Sequence, residues 1–365
     1  MKTIFIAHNY TENSFAYMSF SLAQYLSNRG NRVVFISHRP YFEKPFMEDV
    51  SDGELIVYSW PAEGRPTKFR DVFWFAKLYM KYKPTTVISH FVNVNITIIV
   101  SKVLSLGKVK TLPYYHTLSS QISTDSNKRK IVRSVLKMRK KFLYRFFSNS
   151  IICPSDFAKE DLLTYFGQKN GLKILNPMKD RFIQKEILSE KEIIIVYLGR
   201  IDASKGVIDM INAFNSYCLK KPDTIIRIKI AGSGSQREEA IGLMKQNCNI
   251  TYAGGLTYNQ VDSYLSNAHF TIIPSKFDNL PTVGLESLMN KTPLLISYTT
   301  GLTQELTDGF ECVKFDPNVE SMVSLFGNIE NMGIHTQQIL ESNARKTFLE
   351  KFSVKSYFHS IESII

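Results

Sequence analysis

An α/β protein made of two doubly wound units is the fold class that this 365-residue sequence predicts, on three observations. Short apolar, β-branched runs alternate with helical patterns along most of the chain. The rhythm closes near KILNPM and restarts at EIIIVYLGR. The chain is also longer than one hydrophobic core usually serves, so two domains of roughly 150 to 200 residues are expected.

In the first half TIFIA, RVVFIS, TTVISHF and SIICPS read as strands. They are apolar without alternation, as strands of a parallel sheet covered on both faces are. Helical spacing falls around FAYMSFSLAQYLSNRG, DVFWFAKLYMKYK and SDFAKEDLLTYFG, the last with Ser155 as its cap. ILNP reads as a closing strand, stopped at Asn176-Pro177, and the polar stretch through Lys191 as an interdomain linker. In the second half EIIIVYLGR, TIIRIKIAG, NITYAGG, HFTII and PLLIS read as strands. Helices are expected from about Val207, from about Gln236, around TYNQVDSYLSNA, and from Pro281, which fits a first helical turn because its missing N–H is not needed there. The predicted domains are residues 1–180, residues 181–345, and a carboxyl-terminal helix over 346–365 that returns towards the first. Two Rossmann-like units facing each other would leave a central cleft at the carboxyl ends of their strands, where open parallel sheets bind ligands.

Aromatic residues at 12% and charged residues at 21% are globular proportions and argue against extended disorder. Cys153, Cys218, Cys248 and Cys312 form no C-x-x-C pair, so core thiols in a reducing cytoplasm are expected rather than a zinc or disulfide framework. MKTIFIA reaches His8 and Asn9 too soon for a signal-peptide core, and no long apolar window suggests a membrane span. Any membrane contact is therefore expected to be peripheral.

The net charge of +12 is concentrated in one half. Residues 1–180 hold 27 Lys/Arg against 13 Asp/Glu, and the remainder 18 against 20. Within KRKIVRSVLKMRKKFLYR, Lys128, Arg129, Lys130, Arg133, Lys137, Lys140 and Lys141 interleave with Ile131, Val132, Val135, Leu136, Phe142 and Leu143 at helical intervals. This basic amphipathic helix fits a solvated surface or a dock for anionic lipid. No nucleic-acid module accompanies the charge, so no nucleic-acid partner is expected.

The segment PSKFDNLPTVGLESLMNKTPLLI, Pro274 to Ile296, sets Asp278 and Glu286 eight residues apart across a loop and a helix start. Glu286 shares a face with Thr282 and Val283, so its carboxylate lies over the helix start, where unpaired N–H groups can hold a phosphate and a carboxylate can accept from ribose hydroxyls. A helix cap at Asp278 and a solvated Glu286 fit the same spacing. Gly199-Arg200 ends a strand and Lys205-Gly206 opens the next helix, placing two cations where a diphosphate leaving group gathers charge; two exposed basic loop residues also fit. Gly232, in Ala231-Gly232-Ser233-Gly234, and Gly255, after Gly254, mark further glycine turns at successive strand ends. No D-x-D triplet appears and the seven histidines form no ligand cluster, so neither a metal nor a cofactor is expected beyond the substrate.

The succession G-R-x-x-x-x-K-G at 199–206, A-G-S-G at 231–234, G-G at 254–255 and P-S-x-x-D-x-x-x-x-x-x-x-E at 274–286, with K-T-P following, resembles the retaining glycosyltransferases of family 4, which have the GT-B fold. The resemblance spans residues 190–316 and, more loosely, RGNRVVFIS, KPTTVISHF, YYHTLSS and ILNP. It implies that Arg200 and Lys205 bind the donor diphosphate and that Glu286 binds the donor ribose. Asp278 and the backbone of Asn279, Leu280, Pro281 and Thr282 would meet the donor sugar, and His116 would lie beside the reacting sugar. Two departures stand out: Asp278 occupies a position where the family usually has Glu, and the first loop, HNYTENSF, lacks the glycines many members have there. With the missing D-x-D triplet and the basic helix, the expected activity is metal-independent, retaining transfer of a hexosyl or N-acetylhexosaminyl group from a UDP-sugar to a glycan or lipid-linked acceptor, the lipid part resting on that helix. It would serve cell-surface polysaccharide or glycolipid synthesis from the cytoplasmic face of the membrane. The alternatives are a nucleotide-sugar epimerase, which epimer formation from UDP-sugar without acceptor would expose, a phosphorylase of the same fold, and a non-catalytic binder of membrane or nucleic acid acting through residues 128–145.

Overall fold

The computed structural model describes residues 1–8, 14–37, 46–50, 52–62, 68–90, 95–119, 130–185, 189 and 191–365. Two compact units divide them, one from residues 1–116, 130–179 and 354–365, the other built on 180–353.

The first unit carries a six-stranded sheet in the order β3-β4-β2-β1-β5-β6. Its strands are β1 (Thr3–His8), β2 (Arg32–Ser37), β3 (Phe46–Val50), β4 (Gly53–Ser59), β5 (Thr86–Ser89) and β6 (Lys110–Pro113). Central β1 pairs in parallel with β2, from Thr3↔Arg32 to His8↔Ser37, and with β5, and is buried along its whole length. That burial on both faces is why TIFIA shows no polar alternation. Helices α1 (Ser14–Asn28), α2 (Phe69–Tyr82) and α3 (Asn95–Leu104) connect these strands. The sheet departs from the all-parallel expectation at its edge, where β3 runs antiparallel to β4. Only two residues separate those strands, far short of the dozen or so that a parallel crossover needs.

Beyond β6, helix α4 (Lys130–Phe147) leads to β7 (Ile151–Cys153), helix α5 (Asp156–Phe166) and β8 (Gly171–Lys173). Ser155 caps α5, its hydroxyl accepting from the Ala158 N–H at 3.0 Å. The expected ILNP strand is displaced: β8 ends at Lys173, one last ladder bond runs from Ile174 N–H to Cys153 O at 2.9 Å, and Pro177 has no N–H with which to continue. The carboxyl-terminal helix, Val354–Glu362, buries Tyr357 and Ile361 among Leu22, Leu26 and the strand side chains of this unit. The Tyr357 and Tyr114 hydroxyls share a buried hydrogen bond of 2.6 Å, and Tyr25 donates to Glu362 at 2.9 Å.

The second unit repeats the plan with all strands parallel, in the order β11-β10-β9-β12-β13-β14. The strands are β9 (Ile193–Leu198), β10 (Ile226–Ala231), β11 (Ile250–Gly254), β12 (Phe270–Ile273), β13 (Leu294–Ser297) and β14 (Cys312–Phe315). The helices are α6 (Val207–Lys220), α7 (Arg237–Met244), α8 (Tyr258–Ser266), α9 (Thr282–Met289), α10 (Val319–Glu330) and α11 (Ile334–Lys351). Ile195, Ile228, Ile230 and Phe270 pack with Phe214 and Phe326 as its core. Pro281 is the residue just before α9 rather than within it, its φ of −64° already helical in value. Part of the presumed linker is docked here: Arg181 N–H donates to the Met289 sulfur at 3.1 Å and Ile183 N–H to Asn290 Oδ1 at 3.0 Å.

Two glycines are dictated by packing of the chain on itself. A Cβ at Gly232, which has φ +135°, would fall 1.8 Å from the Gly199 carbonyl oxygen, and one at Gly206, with φ +68°, 2.1 Å from the Pro274 carbonyl oxygen. At Gly255 an added Cβ meets nothing within 4 Å. Gly232→Ala is therefore expected to cost about 3 kcal/mol or more in urea unfolding, and Gly255→Ala to stay within about 0.5 kcal/mol of wild type.

Candidate active site

The sequence-predicted residues of the second unit lie on the loops at the carboxyl ends of β9, β10, β11 and β12 and, for Thr282 and Glu286, on α9. Lys276 and Phe277 N–H groups both donate to the Ser204 carbonyl, at 2.8 and 3.3 Å. Ser297 and Thr299 hydroxyls both donate to the Ser275 carbonyl at 2.6 Å, and Gly301 N–H donates to the Asp278 carbonyl at 3.1 Å. The loops that follow β9, β12 and β13 are thus laced into one surface. The lacing brings Lys205 onto Asp278 as an ion pair, with both side chains largely shielded from solvent. Asp278 also accepts from its neighbour's Asn279 N–H at 2.9 Å. It does not serve as the helix cap.

Arg200 reaches Asp202 instead, and its side chain remains 53% exposed. Burial pushes the Asp202 carboxyl up, but hydrogen bonds from the Ser235 N–H and hydroxyl, each 2.8 Å, and the Arg200 charge outweigh it and hold the group below its ordinary range. Arg200 is therefore a half-exposed cation paired with Asp202. Asn279, Leu280 and Pro281 are buried, and Thr282 is partly exposed at the start of α9.

Glu286 is not solvated. It lies on α9, 6% exposed, and accepts from Arg181 Nη2 at 3.1 Å. Arg181 binds Asp262 of α8 through Nε at 2.8 Å and Nη2 at 3.2 Å, and its guanidinium lies 4.5 Å from the centre of the Tyr258 ring. Asn290 adds hydrogen bonds of 3.0 Å to Asp262 and to the Glu286 carbonyl. Sequence reasoning missed Arg181, because it falls in the polar stretch read as linker. Two acids buried on neighbouring helices call for a cation, but no local spacing in the sequence says which one, or that the two acids meet.

Residues 178–347 match the family model for glycosyl transferases group 1, and residues 17–174 match the model for glycosyltransferase family 4. The chain belongs to the GT-B glycosyltransferases of the family 4 type. Among curated relatives, an alpha-D-kanosaminyltransferase of Streptomyces kanamyceticus is 29% identical over 119 residues, covering 32% of this chain and 30% of the relative. A capsular polysaccharide biosynthesis glycosyltransferase, CapM, of Staphylococcus aureus is 23% identical, covering 58% and 57%. The match thus spans under a third of the length of the kanosaminyltransferase. Among solved structures, sucrose-phosphate synthase of Thermosynechococcus elongatus superposes with a TM-score of 0.77 at 15% identity, covering 100% of this chain and 98% of that one. Anabaena HepE, in complex with UDP, superposes at 0.72 and 12% identity, covering 100% and 99%. These two likenesses establish fold alone.

In the first unit of this glycosyltransferase, His116 stands beside two other histidines from neighbouring strand ends. His90 Nδ1 lies 3.3 Å from His116 Nε2, and the His8 and His90 rings stack with centroids 5.0 Å apart. Tyr114 stacks on His90 at 4.1 Å and on His116 at 5.0 Å. Burial pushes the His8 and His116 imidazoles down to about 3, with charge on His8 and Lys140 adding to the shift at His116. Burial and its two neighbours lower His90 well below the ordinary value. His116 is thus neutral at physiological pH.

Helix α4 turns Lys140 inward, contrary to the expectation that it faces a membrane. Its ammonium lies 4.3 Å from the Tyr115 ring centre, 5.2 Å from that of Phe166 and 5.6 Å from that of Tyr144. Burial pushes its pKa down to about 8, against the opposing pull of Asp161 and Cys153. The rings supply the attraction that lets a cation sit there. Lys137 and Lys141 are exposed, as are Ile131, Val132, Val135, Leu136, Met138, Phe142 and Phe146. Lys128 and Arg129 lie outside the described residues, as do the side chains of Lys130 and Arg133 and most of the first loop. No described helix is long and apolar enough to cross a membrane, and among the described residues no group of three His, Cys, Asp or Glu could hold a metal ion.

The three histidines carry a pH prediction. The unfolded chain takes up protons on them below pH about 6.5, while the fold resists protonation to far lower pH, so they make stability fall as pH drops through that window. Their imidazole NMR signals should stay at neutral-form values from pH 8 to 5 while the urea midpoint declines.

Proposed function

We propose that this glycosyltransferase moves a hexosyl or N-acetylhexosaminyl group from a UDP-sugar to an acceptor hydroxyl with retained anomeric configuration, without a metal. The single observation that carries the reading is the convergence of Lys205, Asp278 and the start of α9 on one laced set of loops. The anomeric carbon–oxygen bond to the diphosphate breaks, a bond to the acceptor oxygen forms, and the acceptor's proton leaves with the diphosphate. Arg200 and Lys205 bring fixed positive charge to the departing group, and the first N–H groups of α9 add their aligned dipoles. Glu286 takes the ribose. Asp278, one methylene shorter than the family's usual Glu, is held by Lys205 and Asn279 N–H in position to accept from a sugar hydroxyl. Gly199, Gly232 and Gly255 keep side chains away from that rim. His116, neutral, is assigned the place beside the reacting sugar as a hydrogen-bond partner. UDP is favoured as the leaving nucleotide by the likeness to HepE, whose structure contains it.

The acceptor reading is a lipid-linked glycan at the inner face of the cell membrane, in polysaccharide or glycolipid synthesis, as the name of the staphylococcal relative suggests for that protein. Exposed apolar side chains and Lys137 and Lys141 on one helix suit an anionic bilayer surface, where each basic residue contributes about 1 kcal/mol.

Release of nucleoside diphosphate from UDP-, GDP- and ADP-sugars, with and without lipid-linked acceptors, tests the core of the proposal. Acceptor-dependent release from UDP-sugar, with the product anomer matching the donor by NMR, is expected; release from none of the donors, or formation of an epimer without acceptor, overturns it. Lys205→Ala should lower kcat/KM by about 100-fold. Charge reversal at Lys137 and Lys141 should weaken sedimentation with phosphatidylglycerol vesicles several-fold while leaving turnover of a water-soluble acceptor unchanged.

A further inference from the structure

The best-defined interaction in the second unit that the proposed chemistry leaves unused is the guanidinium of Arg181. It enters from the segment preceding β9 and touches two helices at once. One edge is bonded to Asp262 on α8 by two hydrogen bonds of 2.8 and 3.2 Å, and Nη2 also reaches Glu286 Oε1 on α9 at 3.1 Å. All three side chains are nearly removed from solvent, at 16%, 9% and 7% exposure. One cation therefore faces two buried carboxylates. A planar fork with fixed donor directions sets the angle as well as the charge of its partners, as a lysine ammonium cannot. The Tyr258 ring beneath the guanidinium and the Arg181 N–H bond to the Met289 sulfur restrict the fork further. Asp262 itself is tied to Asn290, the residue that ends α9, so the fork has a fixed support on the helix that carries Glu286.

We propose that Arg181 is a positioning residue for donor recognition, holding the Glu286 carboxylate aimed so that it accepts from the ribose hydroxyls of the nucleotide. The inference rests on the ribose reading of Glu286. It makes discrimination for ribose depend on a residue outside the glycine-turn and paired-acid motifs.

The test compares uridine diphosphate with 2′,3′-dideoxyuridine diphosphate by calorimetric titration of the full chain. The dideoxy compound lacks the hydroxyls in question and reports every other contact. Wild type should prefer the ribose form about tenfold to a hundredfold, the weight of a hydrogen bond to a charged group. In Arg181→Gln that preference should shrink to within about threefold while affinity for the dideoxy compound is kept within about threefold. Glu286→Ala should show the same loss, and the double variant should lose nothing further. Should Arg181→Gln fail to fold, Arg181→Lys is judged by the same criterion, because one ammonium cannot span both carboxylates. Equal weakening of both ligands, an unchanged preference, or additive losses in the double variant would each overturn the positioning role. If Glu286→Ala loses the preference and Arg181→Gln does not, the ribose reading survives and only the role of Arg181 falls. If Glu286→Ala keeps the full preference, both fall together.

Discussion

The close approach of backbone to backbone at the carboxyl ends of β9, β10 and β12 is the constraint on which the rest of the second unit depends. The Gly199 and Pro274 carbonyls occupy the space where side chains of Gly232 and Gly206 would stand. With no Cβ at either place, the loops interlock through main-chain and hydroxyl bonds, and Lys205 and Asp278, 73 residues apart in sequence, become neighbours. Protein interiors deform little, so a loop held on two sides fixes its side chains closely. The first demand on these glycines is thus the packing of the fold itself.

Charge is organised around the same loops. A buried carboxylate without a partner would be strongly destabilising, and each acid at this rim has one: Asp202 has Arg200, Asp278 has Lys205, and Asp262 and Glu286 share Arg181. Pairing leaves the site structured before any ligand arrives, and electrostatic stabilisation of a leaving group is strongest when charges need not reorganise. Arg200 differs from the others in its exposure, at 53% of its side chain.

The first unit solves a different problem. Its excess positive charge sits on α4, and such a helix must be fixed to the body of the protein while keeping a basic, apolar face outward. Leu143 and Tyr144 are buried, and Lys140 lies among Tyr115, Tyr144 and Phe166, so a cation shares in holding the helix down. The histidine column at the ends of β1, β5 and β6 is a second polar feature enclosed by packing. Stacking on Tyr114, itself bonded to Tyr357, connects it to the carboxyl-terminal helix.

The sequence by itself determined the alternation of strands and helices, because fully buried parallel strands leave unbroken β-branched runs such as IIIVYL and because Ser155, Pro281 and the glycine turns are local signals read within a few residues. It also determined the family, through motifs whose order survives without any knowledge of contacts. Tertiary structure alone decided the antiparallel edge at β3, the inward turn of Lys140 and the partner of Glu286. Each depends on what lies across space: a tight two-residue connection, an aromatic cluster drawn from three segments, and a guanidinium 105 residues away in sequence from the acid it holds. Periodicity states which face of a helix is apolar. It is silent on which charge from elsewhere in the chain meets the polar group buried beside that face.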